Sequence, residues 1–264
     1  MLDRFSLKNK IIILTGGAGF LARFHIKALN EKKGTIIVID KNYESLINQK
    51  KFFKNNKKVF FYHCDITNKK DLILINKKIL KKFKKIDVLI NNAFNDYKVT
   101  RGKKYKTSKS NIGIDNLSKD IEVGLTGTVN CIDIFSKIML KNNKGVILNI
   151  GSDLSVISPN QNLYRHLNII KPVGYSASKH GLLGITKYFS TLWGKKGIRI
   201  NTLSPGAIEF NQDKEFKKKI KKLIPLGRMC KGEELKEITQ FLCSDASSYM
   251  TGQNIVLDGG RSIW

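Results

Sequence analysis

Short apolar runs alternate with longer stretches of helical spacing along the chain. Lys10–Leu14, Thr35–Asp40, Val59–His63, Ile86–Asn91, Gly145–Ile150, Ile198–Leu203 and Ile255–Leu257 have the length and apolar content of strands. Between them, Phe20–Glu31 and the stretches 68–83, 113–140, 175–194 and 232–243 carry helical patterns. Residues 11–14 and 36–39 are apolar throughout, as parallel strands covered on both faces must be. Strand–helix alternation of this kind predicts an α/β fold: one doubly wound parallel sheet with helices on both faces. No Pro/Gly-rich linker and no internal repeat divides residues 1–264, so a single domain is expected.

Two segments break the alternation. Residues 94–111 are polar and lysine-rich, and residues 154–174 contain Pro159 and Pro172; each follows a strand end. Ligands of open α/β sheets bind outside the carboxyl ends of the strands, which makes these loops pocket or lid candidates. Residues 207–226, after Pro205 and Gly206, form a third candidate.

Composition changes the picture little. The chain has 264 residues, 48 Lys and Arg against 21 Asp and Glu, and a formal charge of +27. Most of that charge is lysine scattered along the whole chain. A nucleic-acid surface concentrates basic residues in a patch, often with arginine or stacking aromatics, so nucleic acid is not an expected partner. Cys64, Cys131, Cys230 and Cys243 lack metal-site spacing and have no histidine cluster, so free thiols and no metal are expected. No uninterrupted apolar run of about 18 residues stands out, and Met1–Lys8 lacks the apolar core of a signal peptide. A soluble cytoplasmic protein without a membrane partner is the expectation.

The chemistry begins at Thr15, Gly16, Gly17, Ala18, Gly19, Phe20, Leu21 and Ala22, which follow the first strand and open a helix. Glycines there allow a tight turn and bring backbone N–H groups against a pyrophosphate, and the helix N-terminus favours the anion. Asp40 ends the second strand, where a carboxylate accepts hydrogen bonds from ribose hydroxyls and repels a 2′-phosphate. NAD(H) is therefore expected in preference to NADP(H), although Lys41 is a basic neighbour. Asp65 and Ile66, then Asn91, Asn92 and Ala93, sit at strand ends on the same rim and are further cofactor-binding candidates; each alone is also ordinary turn chemistry.

Ser152 follows the fifth strand, and Tyr175 and Lys179 lie four residues apart at the start of a long helical pattern, on one helical face. A phenol ordinarily titrates near 10, too high for acid–base work at neutral pH. A lysine cation beside it favours phenolate and brings it toward the working range. Ser152 would hold the substrate oxygen while Tyr175 transfers the proton that accompanies hydride exchange with nicotinamide.

With these motifs in this order the sequence resembles the short-chain dehydrogenase/reductase family over essentially its whole length. The residues that carry the resemblance are Thr15–Ala22, Asp65, Asn91–Ala93, Ser152, Tyr175, Lys179, Asn201–Gly206, Thr251, Gly252 and Asp258–Gly260. The resemblance implies a Rossmann-like domain, a Ser152/Tyr175/Lys179 mechanism on a small-molecule substrate, and a homodimer or homotetramer. It implies too that Lys179 holds the nicotinamide ribose, with Pro205, Gly206 and Ile208 along the cofactor. The chain departs from the pattern at Ala22 and at Phe94, where the family has glycine, and at Phe210, where threonine is common. Gly124 stands where many members carry a catalytic asparagine that relays protons to the lysine.

The segment 154–174, Trp193, Pro225–Arg228 and the terminal Gly260–Trp264 resemble a subgroup of flagellin-modification oxidoreductases associated with nonulosonate sugars. That resemblance implies a sugar or sugar-nucleotide substrate, with Arg165 as a candidate anion ligand. Two other functions fit the same residues: a silent dinucleotide sensor, and a reductase of lipid-like ketones.

Overall fold

A computed structural model describes residues 3–95, 114 and 116–264. Seven parallel strands form one sheet in the order β3-β2-β1-β4-β5-β6-β7: β1 Ile11–Thr15, β2 Thr35–Asp40, β3 Val59–His63, β4 Val88–Asn91, β5 Gly145–Ile150, β6 Ile198–Pro205 and β7 Asn254–Leu257. Because the strands are parallel, Thr15, Asp40, Asn91, Ile150 and Pro205 all end at one rim. The order reverses between β1 and β4, and the crevice at such a switch point is where open α/β sheets hold ligands.

The alternation of side chains along each strand builds two core layers. Ile11, Ile13, Ile37 and Ile39 join Cys131, Ile132, Phe135 and Met139 on one face. Ile12, Leu14, Ile36 and Val38 join Ala22, Ile26, Leu29 and Leu242 on the other. The helices are α1 Phe20–Glu31, α2 Tyr43–Phe52, α3 Lys69–Phe83, α4 Leu117–Ile121, α5 Thr128–Lys141, α6 Val173–Trp193, α7 Lys214–Lys221 and α8 Lys236–Cys243. The continuous run Leu117–Lys141 is long and apolar enough by length and composition to cross a membrane, although no uninterrupted apolar run marks it in the sequence. Here it is a core helix: Cys131, Ile132, Phe135 and Met139 are at most 3% exposed beneath the sheet.

Three elements differ from the sequence pattern, among them α7, which lies within the pocket or lid candidate 207–226. Helix α2 was not expected, because only Leu46 and Gln49 of it are buried and no apolar stripe advertises it. Its start is set by Asn42, whose side chain accepts from Ser45 N. The long central helix is interrupted by a π-helical turn, Glu122–Gly127, joining α4 to α5. Such turns often mark functional sites, and this one contains Gly124.

The second and third loop candidates meet each other. Leu163 and Tyr164 pack against Phe216, Ile220, Ile224 and Met229 in a small apolar cluster beyond the sheet rim. His166 Nε2 lies 3.0 Å from Asp213 Oδ1, the residue whose side chain caps α7. Of the first candidate, residues 94–111, only Phe94 and Asn95 lie within the described residues.

Candidate active site

The glycine turn is shaped by contacts that leave no room for side chains. Gly16 has φ +62°, and a Cβ there would lie 2.5 Å from Ala93 Cα. Thr15 is fully buried and acts as the peg: its Oγ1 accepts from Asn92 N and Ala93 N, at 3.1 and 3.3 Å. Asn92 Nδ2 donates to Thr15 O and Gly16 O, so the ends of β1 and β4 are tied together. From α2, Gln49 Nε2 donates to Gly17 O and fixes the turn from behind. Helix α1 then begins at Phe20 with Gly19 as its N-cap and no side-chain cap, and its first turn holds no acidic residue. Its N-terminal N–H groups are arranged for an anion. Ala22, in place of a glycine, is fully buried in the core, so its methyl is accommodated.

A groove runs from this turn across the rim. It is lined by Gly16, Gly19, Phe20, Leu21, Asp40, Asn92, Phe94, Ile150, Gly151, Ser152, Tyr175, Lys179, Pro205, Gly206 and Ile208. Twelve of the residues expected from the sequence thus share one cleft: Gly16, Gly19, Phe20, Leu21, Asp40, Asn92, Ser152, Tyr175, Lys179, Pro205, Gly206 and Ile208. The others stand behind it or beside it. Ala18 donates its N–H to Asp40 Oδ2 at 2.9 Å. Asn91 is buried, its amide donating to Asn149 Oδ1 at 2.8 Å. Asp65 accepts from Thr67 N and Oγ1, and Ile66 is buried beneath Gly127. Thr15 and Ala93 carry the turn.

The groove suits a dinucleotide: an uncapped helix N-terminus at the turn, a carboxylate at the end of β2, and a lysine–tyrosine pair at the far end. Asp40 already accepts from Ala18 N and Asn42 N. A carboxylate offers about four lone-pair sites, so acceptor capacity remains for ribose hydroxyls.

The placement of α6 follows from a buried polar chain. Asn149 Nδ2 donates to Thr186 Oγ1, which lies 2.7 Å from Thr202 Oγ1, so β4, β5, β6 and α6 are stitched together. Pro172 precedes the first turn of α6. Near that end, Tyr175 faces the groove and Lys179, 5% exposed, donates from Nζ to Ile150 O at 2.8 Å. Lys179 Nζ also stands 5.7 Å from the Tyr175 ring centroid. Ser152 Oγ accepts from Leu154 N at 3.2 Å and donates to Asp153 Oδ1 at 3.0 Å.

A second cavity opens from the groove over Ser152, Tyr175 and Ile208. Its polar lining includes Asp153, Arg261, Gln212 and Lys171, and its apolar wall includes Phe210 and Phe216. Arg261 reaches in from beyond β7 and pairs with Asp153, both side chains under a tenth exposed. Lys171 Nζ sits 3.6 Å from the Tyr175 ring centroid. The Asp153–Arg261 pair escaped the sequence reading: its members are 108 positions apart, and no spacing rule links them. Phe210, where threonine is common in the family, stacks on Phe20 with centroids 4.1 Å apart. Arg165 is exposed and lines neither cavity. Among the described residues there is no group of side chains fit to hold a metal, and all four cysteines are free.

Comparison with known proteins follows the same lines. A family model described as enoyl-(acyl carrier protein) reductase matches residues 21–262. The chain is 30% identical to 3-oxoacyl-[acyl-carrier-protein] reductase FabG of Thermotoga maritima, over 97% of this chain and 99% of the relative. It is 28% identical to post-translational flagellin modification protein A of Campylobacter coli, over 97% of this chain and the whole of the relative. Among solved structures, a short-chain dehydrogenase from Leptospira borgpetersenii with bound NAD+ superposes with a TM-score of 0.81 at 26% identity, covering all of this chain and 97% of the other.

Proposed function

This chain belongs to the short-chain dehydrogenase/reductase family and is an NAD(P)-dependent oxidoreductase of alcohols and ketones; we propose that it prefers NAD(H) and acts on a sugar or sugar-nucleotide. The observation that carries the reading is the continuity of the two cavities: Ser152 and Tyr175 line both, at the junction between the dinucleotide groove and a pocket with an ionic floor. Gly16, Gly19 and the start of α1 would hold the pyrophosphate, Asp40 the adenosine ribose, and Lys179, Pro205, Gly206 and Ile208 the nicotinamide end. When bound, the nicotinamide supplies or accepts hydride.

The chain's own residues handle the oxygen and the proton. Tyr175 delivers a proton to the substrate oxygen in reduction and removes it in oxidation. Lys179 is the nearby cation that favours phenolate. Ser152 Oγ, already committed as a donor to Asp153 in this structure, reorients to share its proton with the substrate oxygen. Asp153, Arg261, Gln212 and Lys171 line the pocket with the donors and acceptors that a polyhydroxylated ring requires, and the similarity to a flagellin modification protein supports that class. The assembly proposed is a homodimer or homotetramer, and the location the cytoplasm.

A second reading has its own observation. Leu154, Phe210, Phe216 and Ile220 form an apolar wall of the same pocket, which suits a lipid-like ketone. A screen of NADH oxidation and NAD+ reduction across keto-sugars, nucleotide-linked sugars and 3-oxoacyl thioesters separates the two. Turnover of the carbohydrate set is expected; turnover of the thioesters alone would overturn the sugar assignment. Faster turnover with NADPH than with NADH would overturn the role given to Asp40.

A further inference from the structure

Phe94 stands just beyond β4, on backbone anchored by the Asn92 and Ala93 contacts to Thr15 and Gly16. Its ring meets three residues at once. Lys179 Nζ lies 4.6 Å from the ring centroid. The ring of Tyr175 packs against it edge to face, with centroids 5.1 Å apart and planes at 82°. On its far side, a Cβ added to Gly124 would lie 2.6 Å from Phe94 Cε2 and 2.9 Å from Ser178 Cβ. A real Cβ essentially never comes within 3.0 Å of such atoms, so the ring fills the space that a side chain at position 124 would need. Gly124 and the π-turn around it are the vacancy into which Phe94 fits.

We propose that Phe94 is a positioning residue for the reaction, its ring face holding the Lys179 ammonium and its edge-to-face contact fixing Tyr175. The inference rests on the catalytic reading of Tyr175 and Lys179. A cation over a ring face is attracted by the ring quadrupole, more strongly where water is excluded, and Lys179 is 5% exposed. An edge-to-face pair restrains ring orientation. A lysine left to itself has several rotatable bonds; here the Ile150 carbonyl draws the ammonium from one direction and the ring supports it from another. Among the described residues, the other charged groups near Tyr175 are Lys171, 3.6 Å over its ring, the buried Asp120, which packs against Gly174, and the Asp153–Arg261 pair across the pocket beside Ser152. Phe94→Leu also removes the contact with Tyr175 itself, so the part owed to Lys179 is read from a substitution that keeps the ring and weakens its face.

The test reads the Tyr175 phenol directly and needs no substrate. Tyrosinate absorbance is titrated in the parent, in Phe94→Leu, and in protein carrying 3,4,5-trifluorophenylalanine at position 94, which keeps the ring but weakens its negative face. Each is subtracted from the same protein carrying Tyr175→Phe, isolating one of the eight tyrosines. The midpoint of Tyr175 is expected to rise by about one pH unit in Phe94→Leu and by a smaller step with the fluorinated ring. Midpoints unchanged in both would overturn the role of Phe94. A rise in Phe94→Leu with none for the fluorinated ring would overturn the cation–ring part of it. A parent midpoint no lower than that of the other tyrosines would instead overturn the catalytic reading of Tyr175.

Discussion

At the residue scale, the site rests on a buried ion pair that connects the end of the chain to its catalytic rim. Asp153 receives Arg261 on one oxygen, and Ser152 Oγ and Leu154 N on the other. Removing one member of a buried pair strands the other's charge, which typically costs about 3–5 kcal/mol. Arg261→Met is expected to lower unfolding stability by about 3 kcal/mol in denaturant titration, with Asp153→Asn/Arg261→Met recovering part of it. A loss under about 0.5 kcal/mol in the single variant would show the pair to be incidental. His25 offers a second residue-scale outcome. Thr239 Oγ1 donates to Leu235 O, so it accepts from His25 Nδ1–H, and Nε2 is left buried without a partner among the described residues. Burial lowers this imidazole from 6.5 to about 4. Between those values the unfolded chain binds a proton that the folded chain does not, so stability falls as pH drops from about 6.5 toward 4. The loss attributable to His25 is about 3 kcal/mol at the acid end. His25→Gln should flatten that part of the stability–pH curve, and an unchanged slope would contradict it.

At the element scale, legibility in the sequence tracked burial on two faces. Strands β1 and β2 were visible because both their faces are covered and residues 11–14 and 36–39 are apolar without interruption. Helix α2 was invisible because it lies on the surface with two buried side chains, although Gln49 from it braces the glycine turn. The π-turn was invisible for a different reason: its six residues, Glu122–Gly127, are too few to set a period of their own in the hydrophobic spacing. Phe94 and Gly124 were each legible as departures from the family pattern, but only the fold shows that they compensate one another. The segments 154–174 and 207–226, separate pocket or lid candidates in the sequence, are joined in the fold by packing of Tyr164, Phe216 and Ile220. Phe216→Ala is expected to raise hydrogen exchange in residues 161–167 and 214–221 together, leaving β1 and β5 unchanged. Faster exchange in one segment alone would mean that they do not move as a unit.

At the scale of the whole molecule, strand–helix alternation pointed to a parallel sheet, and parallel strands bring all their carboxyl ends to one rim. That geometry is why Gly16, Asp40, Ser152, Tyr175 and Pro205, spread over most of the chain, line a single groove. Of the strand-end candidates, Asn91 serves the framework, whereas Asp40 and Asn92 line the groove with Tyr175 and Lys179. The pocket beyond them was least legible, since its wall comes from four separate segments, around residues 20–21, 152–175, 206–220 and 261.

The role proposed for Tyr175 is proton transfer in a nicotinamide-dependent reaction. It is tested most directly by Tyr175→Phe, measuring NADH affinity by fluorescence and turnover of the best substrate from the carbonyl screen. Affinity within about twofold of the parent and turnover reduced by a factor of about 10²–10⁴ are expected. Turnover within tenfold of the parent, at preserved NADH affinity, would contradict it.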